Sequence, residues 1–461
     1  MLIKMERSQV IDLFRGWPNP SLLPTPALSS ASTKVLTTPS ILTPALLYGP
    51  DEGYSPLRTH IAQWLTSFYH PADPVTAARI CITGGASQNL ACILQVFSDP
   101  AYTRNVWLVA PTYHLVCRIF EDSGFGERLR AVGQDGSGLD LEGLRKGLED
   151  AEERAKSRDT SPYKPPRPYS KLYKHIIYAT PTFSNPSTLT MSLSDREALV
   201  RLARAFDALI ITDDVYDFLQ WPSNPATPLN PHATAPLPRL VDVDRYLDGS
   251  PKDGFGNVIS NGSFSKLVGP GVRTGWAEGT EKIAYGLSQT GSQRSGGSPS
   301  QFSSTIIDQL LPSGLLEQHI NTALRPAYFS RYHNMLAAIK EYLLPLKVTL
   351  PFTPLTSRHG APGADTVSGG YFIWLALPQP LNASTLANHA LTNHGVKIAE
   401  GDIFAVKGDT DMDRNDFSSF VRVCFAWEEE GRLVEGVRRL AGAVREMLEV
   451  EEGRLEGEGD G

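Results

Sequence analysis

The chain has 461 residues, of which 41% are hydrophobic and 20% charged, and it carries a formal net charge of −7. The length favours two domains, and the acidic balance argues against nucleic acid as a partner. No stretch approaches the roughly 18 apolar residues of a membrane span, and the start, MLIKMERSQVIDLF, lacks a signal-peptide core, so the sequence predicts a cytoplasmic protein without membrane contact.

The four cysteines, Cys81, Cys92, Cys117 and Cys424, lie in apolar surroundings and show no CxxC or Cys/His spacing. Such spacing is the usual sign of a zinc site. We therefore expect these cysteines to be reduced core residues, and we predict no metal site.

From about residue 77, short strand-like runs alternate with helical runs. The strand-like runs are ARICIT, NVWLVA, HIIYAT and ALIITDD, and the helical runs are ASQNLACILQVF, YHLVCRIFEDSG and SDREALVRLARAF. This alternation predicts an α/β fold whose mostly parallel sheet binds ligands at the carboxyl ends of its strands. Segments 152–174 and 223–239 are rich in proline with charged residues or asparagine, which indicates surface loops.

Residues suited to ligand binding follow three of these strand-like runs. In ICITGGASQNL, Ala86 and Ser87 begin a helix, where backbone amides attract a phosphate, although a plain tight connection also fits. VAPTYHLV places Tyr113, and YATPTFSNPST places Asn185, where a ring can stack and an amide can bind a ligand oxygen. A core tyrosine and a turn residue are the alternatives.

The run ALIITDDVYDF ends in Asp213, and Tyr216 follows three residues later. A carboxylate at a strand end can keep the ring nitrogen of pyridoxal phosphate protonated, and a hydroxyl can bind the ring oxygen. The alternative is an acidic cap for the next element, for which the neighbouring Asp214 is the better candidate.

The stretch NGSFSKLVGPGVRTGW (261–276) places Lys266 near Ser263, Ser265 and Arg273. Hydroxyls and a guanidinium suit a phosphate, and a buried amine attacks carbonyl groups, so together they suggest pyridoxal phosphate held as a Schiff base. The alternative is a glycine- and serine-rich surface turn with solvated charges.

After residue 313, a long helical run, strand-like GGYFIWLAL, helical STLANHALTNHG, strand-like FVRVCFAW and a helix from about 429 to 449 predict a separate α+β unit. The last residues, 450–461, have little to bury, and we expect them to be disordered. Arg422, within the apolar strand, needs a partner: either a substrate carboxylate or an internal acid.

In this order, the motifs TGGAS, PTY, NPST, DDVY, SFSK with PGVR, and VRVCFA resemble the class I/II aminotransferases of fold type I, especially the aminoadipate and kynurenine branch. The resemblance covers nearly the whole chain. It implies a large domain (48–312) with a seven-stranded sheet, a small domain (313–449), and an N-terminal segment (1–47) that covers the active site. It further implies transfer of an amino group between an amino acid and a 2-oxo acid, in a homodimer with active sites at the subunit interface.

The resemblance also implies a role for each candidate residue. Lys266 would bind pyridoxal 5'-phosphate covalently and carry the proton, Asp213 would pair with the ring nitrogen, and Tyr216 and Asn185 would bind the ring oxygen. Tyr113 would stack on the ring, Arg422 would hold the substrate carboxylate, and Gly16 would lie in the covering segment. The phosphate would be held by Ala86, Ser87, Ser263, Ser265, Arg273 and, from the neighbouring subunit, Tyr48.

The chain departs from the family pattern at NPST, at Ala110 before PTY, and at Glu400 with Gly401 in a late motif, and the last two of these departures leave the substrate open. We interpret Glu400 as a solvated side chain. Two other functions compete with amino transfer. Elimination, cyclisation or decarboxylation would use the same cofactor and the same residues, whereas a regulator that only senses the cofactor would need a DNA-binding segment ahead of the fold.

Overall fold

The computed structural model describes residues 10–135, 138–249, 251–351, 366–409 and 412–459. The strands are β1 (Ile11–Asp12), β2 (Ile80–Thr83), β3 (Asn105–Ala110), β4 (Leu129–Asp135), β5 (Gly138–Leu139), β6 (His175–Ala179), β7 (Ala208–Asp213), β8 (Gln220–Pro222), β9 (Val258–Ser263), β10 (Gly275–Glu278), β11 (Val367–Gly369), β12 (Phe372–Ala376), β13 (Val396–Lys397), β14 (Ala399–Glu400) and β15 (Phe420–Cys424).

The α-helices are α1 (Thr25–Thr37), α2 (Pro39–Leu46), α3 (Ser55–Tyr69), α4 (Ala86–Phe97), α5 (His114–Phe120), α6 (Leu141–Ala155), α7 (Leu193–Ala205), α8 (Leu240–Tyr246), α9 (Glu281–Ser288), α10 (Gly291–Gly296), α11 (Gln301–Leu310), α12 (Leu315–His319), α13 (Arg325–Ala338), α14 (Ala383–His394), α15 (Met412–Asn415) and α16 (Glu430–Gly459). No helix among the described residues is long and apolar enough to cross a bilayer.

The main sheet has the strand order β2-β10-β9-β7-β6-β3-β4-β5. Neighbours from β9 to β4 are parallel, and β10 is antiparallel to both of its neighbours. The prediction of seven strands was therefore wrong by one. The additional strand, β5, pairs antiparallel with β4 over two residues, and a strand of two residues is too short to show an alternating pattern in the sequence.

Helices cover both faces of this sheet because its strands are apolar on both sides, as expected for parallel strands. Leu209 and Ile211 of β7 join a core with α4, α5 and α9, whereas Ile210 joins a second core with α6, α7 and α8. The carboxyl ends of β2, β3, β6, β7 and β9 consequently meet at one edge. Residues that follow these strands lie close together for that reason.

A second sheet of three antiparallel strands has the order β12-β15-β14 and packs with α13, α14 and α16. The N-terminal segment joins it: β1 pairs in parallel with β13, and the Leu13 amide donates to the Lys397 carbonyl at 2.8 Å. A Cβ at Gly436 of α16 would lie 3.0 Å from both Ile11 and Leu13, so the glycine lets this segment pack closely on the helix.

The positions of the cysteines, helices and strands test several smaller predictions from the sequence. The four cysteines are free and buried, as predicted. Residues 223–239 contain no helix or strand, whereas residues 152–155 of the other predicted loop belong to α6. The final helix does not end at 449 but continues to Gly459, because extending a helix costs far less than starting one. Residues 460–461 of the predicted disordered tail lie outside the described residues.

Candidate active site

Asp213 lies at the carboxyl end of β7 with one carboxylate oxygen paired and one unpaired. Tyr178, near the end of the adjacent β6, donates to Asp213 Oδ2 at 2.9 Å, while the buried Oδ1 has no hydrogen-bond partner among the described residues. Burial raises the pKa of Asp213 to about 6, although the Tyr178 hydrogen bond and the nearby Lys266 lower it. The free oxygen makes Asp213 suited to receive a cationic N–H donor from a ligand.

Asp214 was the better candidate for a helix cap, but no helix follows it. Its buried carboxylate accepts hydrogen bonds from the hydroxyls of Thr212 and Ser260 and so ties β7 to β9. The two neighbouring acids therefore have separate surroundings: Asp214 is held by the sheet, and Asp213 is close enough to Lys266 to influence its charge.

Lys266 ends a 3-10 turn (Phe264–Lys266) that directly follows β9. Its Nζ donates to the Gly16 carbonyl at 2.8 Å and lies 5.8 Å and 5.2 Å from the ring centroids of Tyr216 and Tyr371. Burial lowers the pKa of Lys266 to about 8, and Arg422 adds to this effect. A substantial fraction of neutral amine near neutral pH makes this lysine a competent nucleophile and base.

Of the side chains predicted to bind an anion, Ser263 precedes the turn Phe264–Lys266 and Arg273 follows a second turn, Pro270–Val272. Ser263 Oγ donates to Ser265 Oγ at 2.9 Å and accepts from the Ser265 amide. Arg273 has a left-handed backbone (φ 48°), which brings its Nη2 back to the Gly84 carbonyl at 2.9 Å. A Cβ at Gly85 would lie 2.9 Å from this Nη2, so a glycine at this position leaves room for the guanidinium.

Ala86 and Ser87 are the first two residues of α4, as predicted, so their amides lack partners within the helix. Asn261 of β9 donates to the Ala86 carbonyl at 2.9 Å and accepts from Asn89, which fixes the start of α4 beside the end of β9. The amides of α4 and the side chains after β9 therefore belong to one region at the sheet edge.

Arg422 of β15 is 3% exposed, yet no carboxylate in the described part of the chain lies within ion-pair distance of it. Its Nη1 donates to Asn185 Oδ1 at 2.7 Å and its Nη2 to the Phe14 carbonyl at 2.6 Å, while its buried Nε is unpartnered. Burial lowers the pKa of Arg422 to about 10. The internal ion pair that the sequence left open is absent there, which leaves a cation for an anionic ligand.

Aromatic rings surround this guanidinium. Its carbon lies 4.0 Å from the ring centroid of Phe372, 4.8 Å from Phe404 and 5.8 Å from Phe14. The His114 ring meets Phe404 edge-on at 5.5 Å, and its Nδ1 is buried without a partner. Burial lowers the pKa of His114 to about 4, and Arg422 adds to the shift, so the imidazole is neutral at physiological pH.

The remaining predicted residues fall into two groups. Tyr113 and Tyr216 join the site: burial raises the pKa of both phenols, and Asp213 raises it further. Gly16 supplies the carbonyl for Lys266, and a Cβ there would lie 2.7 Å from Phe372. By contrast, Tyr48 is 89% exposed and has no contact with these side chains. Glu400, interpreted as solvated, is half-buried at the end of β14.

Sequence reasoning missed four contributors to the site: Tyr178, Tyr371, Phe372 and His114. Tyr178 lies within the apolar run of β6, one residue before its end, and only the residues that follow this run were considered from the sequence. Tyr371 donates to the Lys266 carbonyl at 3.3 Å and contacts the Tyr328 hydroxyl at 3.1 Å. Nothing local in the sequence reveals these contacts, because they depend on the second sheet lying against the first.

The family model for aminotransferase class I and II matches residues 41–440. The chain belongs to this aminotransferase family. An uncharacterised protein of Saccharomyces cerevisiae is 34% identical to this aminotransferase over 94% of the chain and 96% of its own length. The 2-aminoadipate transaminase of Thermus thermophilus is 26% identical over 97% and 93%. The crystal structure of Pyrococcus horikoshii kynurenine aminotransferase matches with a TM-score of 0.74 and 26% identity over 95% and 92%.

These findings confirm the family, the fold type I architecture and the enzymatic activity predicted from the sequence. The protein is a pyridoxal-phosphate-dependent aminotransferase that acts on amino acids and 2-oxo acids. The side chains fit this cofactor. The orphaned Asp213 Oδ1 suits a protonated ring nitrogen, the Lys266 amine is partly neutral, and Arg273 with the start of α4 suits a phosphate.

Proposed function

We propose that Lys266 is the covalent attachment point of the cofactor and the base that moves the proton in amino transfer. When bound, pyridoxal phosphate supplies an electron sink for negative charge at the substrate α-carbon. The observation that carries the proposal is the lowered pKa of Lys266, since an amine that is neutral at its Nζ can accept a proton from carbon. Its position beside the Gly16 carbonyl holds the amine at the site.

The other residues bind and orient. Asp213 Oδ1 keeps the ring nitrogen protonated, and Tyr178 holds that carboxylate in place. The side-chain oxygen of Asn185 accepts a hydrogen bond from Arg422, so its NH₂ group is left to donate to the ring oxygen of the cofactor. The Tyr216 hydroxyl donates to the same ring oxygen. Tyr113 stacks on the ring. Ala86, Ser87, Ser263, Ser265 and Arg273 hold the phosphate.

We further propose that Arg422 binds the α-carboxylate of amino acids with large apolar or aromatic side chains. A carboxylate would replace the neutral Asn185 and Phe14 oxygens as the partner of the guanidinium. The rings of Phe14, Phe372 and Phe404 beside it favour an apolar side chain over a small polar one. The kynurenine aminotransferase among the similar structures acts on an aromatic amino acid, which agrees with this proposal.

The test is a screen of amino donors against 2-oxo-acid acceptors, with both products quantified. We expect one 2-oxo acid formed per donor consumed, higher kcat/KM for aromatic than for small donors, and loss of the visible cofactor band when a donor is added without an acceptor. Consumption of donor without a 2-oxo acid would indicate elimination or decarboxylation instead and would overturn amino transfer as the main reaction.

We propose a homodimer in which Tyr48 reaches the phosphate of the neighbouring subunit. Leu46, Leu47 and Tyr48 are 65%, 62% and 89% exposed, an apolar group that a monomer would leave in water. Sedimentation should give twice the chain mass. Mixed dimers of Lys266→Ala and Tyr48→Ala chains should regain activity, because one of their two sites then has both residues. A monomer, or mixed dimers without regained activity, would contradict this arrangement.

Cellular location and domain limits complete the proposal. Four free, buried cysteines support a reducing compartment, hence the cytoplasm, which cell fractionation would test. The division into an N-terminal segment (1–47), a large domain (48–312) and a small domain (313–449) stays a prediction. It is supported by the two separate sheets, the main sheet and the β12-β15-β14 sheet, and limited proteolysis near residue 312 would test it.

A further inference from the structure

A cluster of two histidines and a glutamate lies where α14 packs against α16, and no residue around Lys266 belongs to it. His389 Nε2 and His394 Nε2 lie 2.9 Å and 3.0 Å from the same oxygen, Glu446 Oε2. The ligating atoms of the three side chains all lie within 4.8 Å of one another. The side chains are 26%, 16% and 53% exposed, so an ion from solvent can reach them.

The spacing of these atoms is close to that of a zinc site. With bonds of about 2.0–2.2 Å to nitrogen and oxygen, the ligands of a tetrahedral Zn²⁺ stand about 3.3 Å apart. Each nitrogen-to-oxygen distance therefore has to lengthen by only a few tenths of an ångström to admit the ion, and the two nitrogens, which lie within 4.8 Å of each other, have to take up the same spacing. Side chains at a partly exposed helix junction accommodate such a shift by small rotations.

The surroundings of the two imidazoles also suit metal binding. His389 Nδ1 lies 2.9 Å from the side-chain amide of Asn393, and with that amide turned over, its oxygen accepts the Nδ1–H of a ligating histidine. A Cβ at Gly442 of α16 would lie 3.1 Å from His394 Cε1, so the glycine leaves space for the ring between the helices.

We propose that His389 Nε2, His394 Nε2 and Glu446 Oε2 bind one Zn²⁺ or a similar divalent transition metal, with water in the remaining position. The ion ties α14 to α16 and stabilises the fold, because a site assembled from two helices exists only in the folded chain. The spacing in the sequence does not indicate this site, since the histidines are five residues apart and the glutamate follows 52 residues after His394.

The test uses the cofactor-loaded enzyme after treatment with a chelator, so that the amine of Lys266 and the phosphate site are occupied. Titration with Zn²⁺ in a calorimeter should give one equivalent per chain, and Co²⁺ should give the visible bands of a tetrahedral site, at longer wavelength than the cofactor band. Zn²⁺ should also raise the thermal midpoint. Asn393→Ala should weaken binding about 10- to 100-fold.

The variants His389→Ala and Glu446→Gln should lose the Zn²⁺ equivalent, the Co²⁺ bands and the thermal shift while keeping aminotransferase activity. His232→Ala, which removes an exposed histidine outside the cluster, is the matched control and should retain all three. Absence of a stoichiometric equivalent in the unmodified enzyme would overturn the proposal, and the cluster would then be a hydrogen-bonded network only. An unchanged equivalent in both variants would overturn it as well.

Discussion

Two buried arginines of this aminotransferase have nearly the same aromatic contact but opposite electrostatic surroundings. The Arg239 guanidinium lies 3.9 Å from the ring centroid of Tyr69, and that of Arg422 lies 4.0 Å from Phe372. Arg239 donates to the carboxylates of Asp242 and Glu278, at 2.9 Å and 2.7 Å. Arg422 donates only to an amide oxygen and a backbone carbonyl among the described residues.

The pKa values follow this difference. Burial alone lowers the pKa of an arginine, and it takes that of Arg422 to about 10. For Arg239, Asp242 and Glu278 overcome burial and raise the pKa well above its ordinary value. We call Arg239, Asp242 and Glu278 the paired cluster, and Lys266, Asp213 and Arg422 the open cluster. A paired cluster holds the fold together, whereas an open cluster is completed by a ligand.

The largest expected effect is on activity, from the open cluster. Lys266→Ala should lower turnover by at least about 10⁴-fold, roughly 5 kcal/mol, because the covalent link and the base are lost together. Its thermal midpoint should not fall, since burial disfavours the charged amine in the fold. Lys266→Arg, which keeps a cation without a nucleophile, should be equally inactive in steady-state assays. Turnover within tenfold of the unmodified enzyme in Lys266→Ala would remove this lysine from the chemistry.

The next effect is on stability, from the paired cluster. Arg239→Gln removes the cation that pairs with Asp242 and leaves Glu278 with only Arg79, at 3.7 Å, so the free energy of unfolding should fall by about 3–5 kcal/mol. Urea denaturation measures this loss. Arg201→Gln, which breaks an exposed ion pair with Asp248, is the control and should change the urea midpoint far less, because water screens the pair. Equal losses of stability in Arg239→Gln and Arg201→Gln would mean that a buried ion pair contributes no more to stability than an exposed one.

Arg422→Gln tests the comparison directly. It should lower kcat/KM for carboxylate substrates by an amount that corresponds to about 2–5 kcal/mol of lost transition-state stabilisation. The urea midpoint should stay close to that of the unmodified enzyme, because no acid of the described chain depends on Arg422. A stability loss as large as that of Arg239→Gln, with kcat/KM unchanged, would instead make Arg422 a structural residue.

The open cluster also predicts a pH dependence. The pKa of Lys266 is lowered from 10.5 to about 8, so the amine is mostly charged below pH 8 and mostly neutral above it. In stopped-flow mixing of cofactor-free enzyme with pyridoxal phosphate, the attachment rate should therefore rise with pH and level off above about pH 8. Arg422→Gln should move this midpoint upward, since the guanidinium disfavours a second cation nearby. A rate still rising near pH 10.5 would show an unperturbed lysine.

The sequence predicted the parts of the site that belong to single strand ends. Asp213 closes the apolar run of β7 and Ser87 follows that of β2, and the carboxyl ends of parallel strands meet at one edge, so their place at that edge follows from the pattern. The two-residue strand β5 and the extension of α16 to Gly459 could not be predicted in this way. Their existence depends on pairing and on an existing helix, not on local apolar periodicity.

Contacts across elements were also beyond the sequence. That Arg422 has no acidic partner in the described part of the chain is a property of the whole neighbourhood, which brings together β15, the segment around Phe14 and the loop with Asn185. The pattern of FVRVCFAW shows that the arginine is buried but not what surrounds it. The same limit explains why His114 was missed: its neighbour Phe404 lies 290 residues further along the chain.

The smallest expected effect on activity concerns His114, a neutral side chain beside Arg422 of the open cluster. Because burial lowers its pKa to about 4, His114 adds no charge at assay pH, and its buried Nδ1, which has no partner among the described residues, can still form a hydrogen bond. His114→Phe keeps the aromatic packing against Phe404 and removes the nitrogens, whereas His114→Ala removes both. We expect kcat/KM for polar donors to fall in His114→Phe by an amount that corresponds to about 0.5–1.5 kcal/mol of lost transition-state stabilisation, and kcat/KM for aromatic donors to stay unchanged. Unchanged ratios of kcat/KM between donors in His114→Phe would limit this residue to packing, in which case only His114→Ala should differ from the unmodified enzyme.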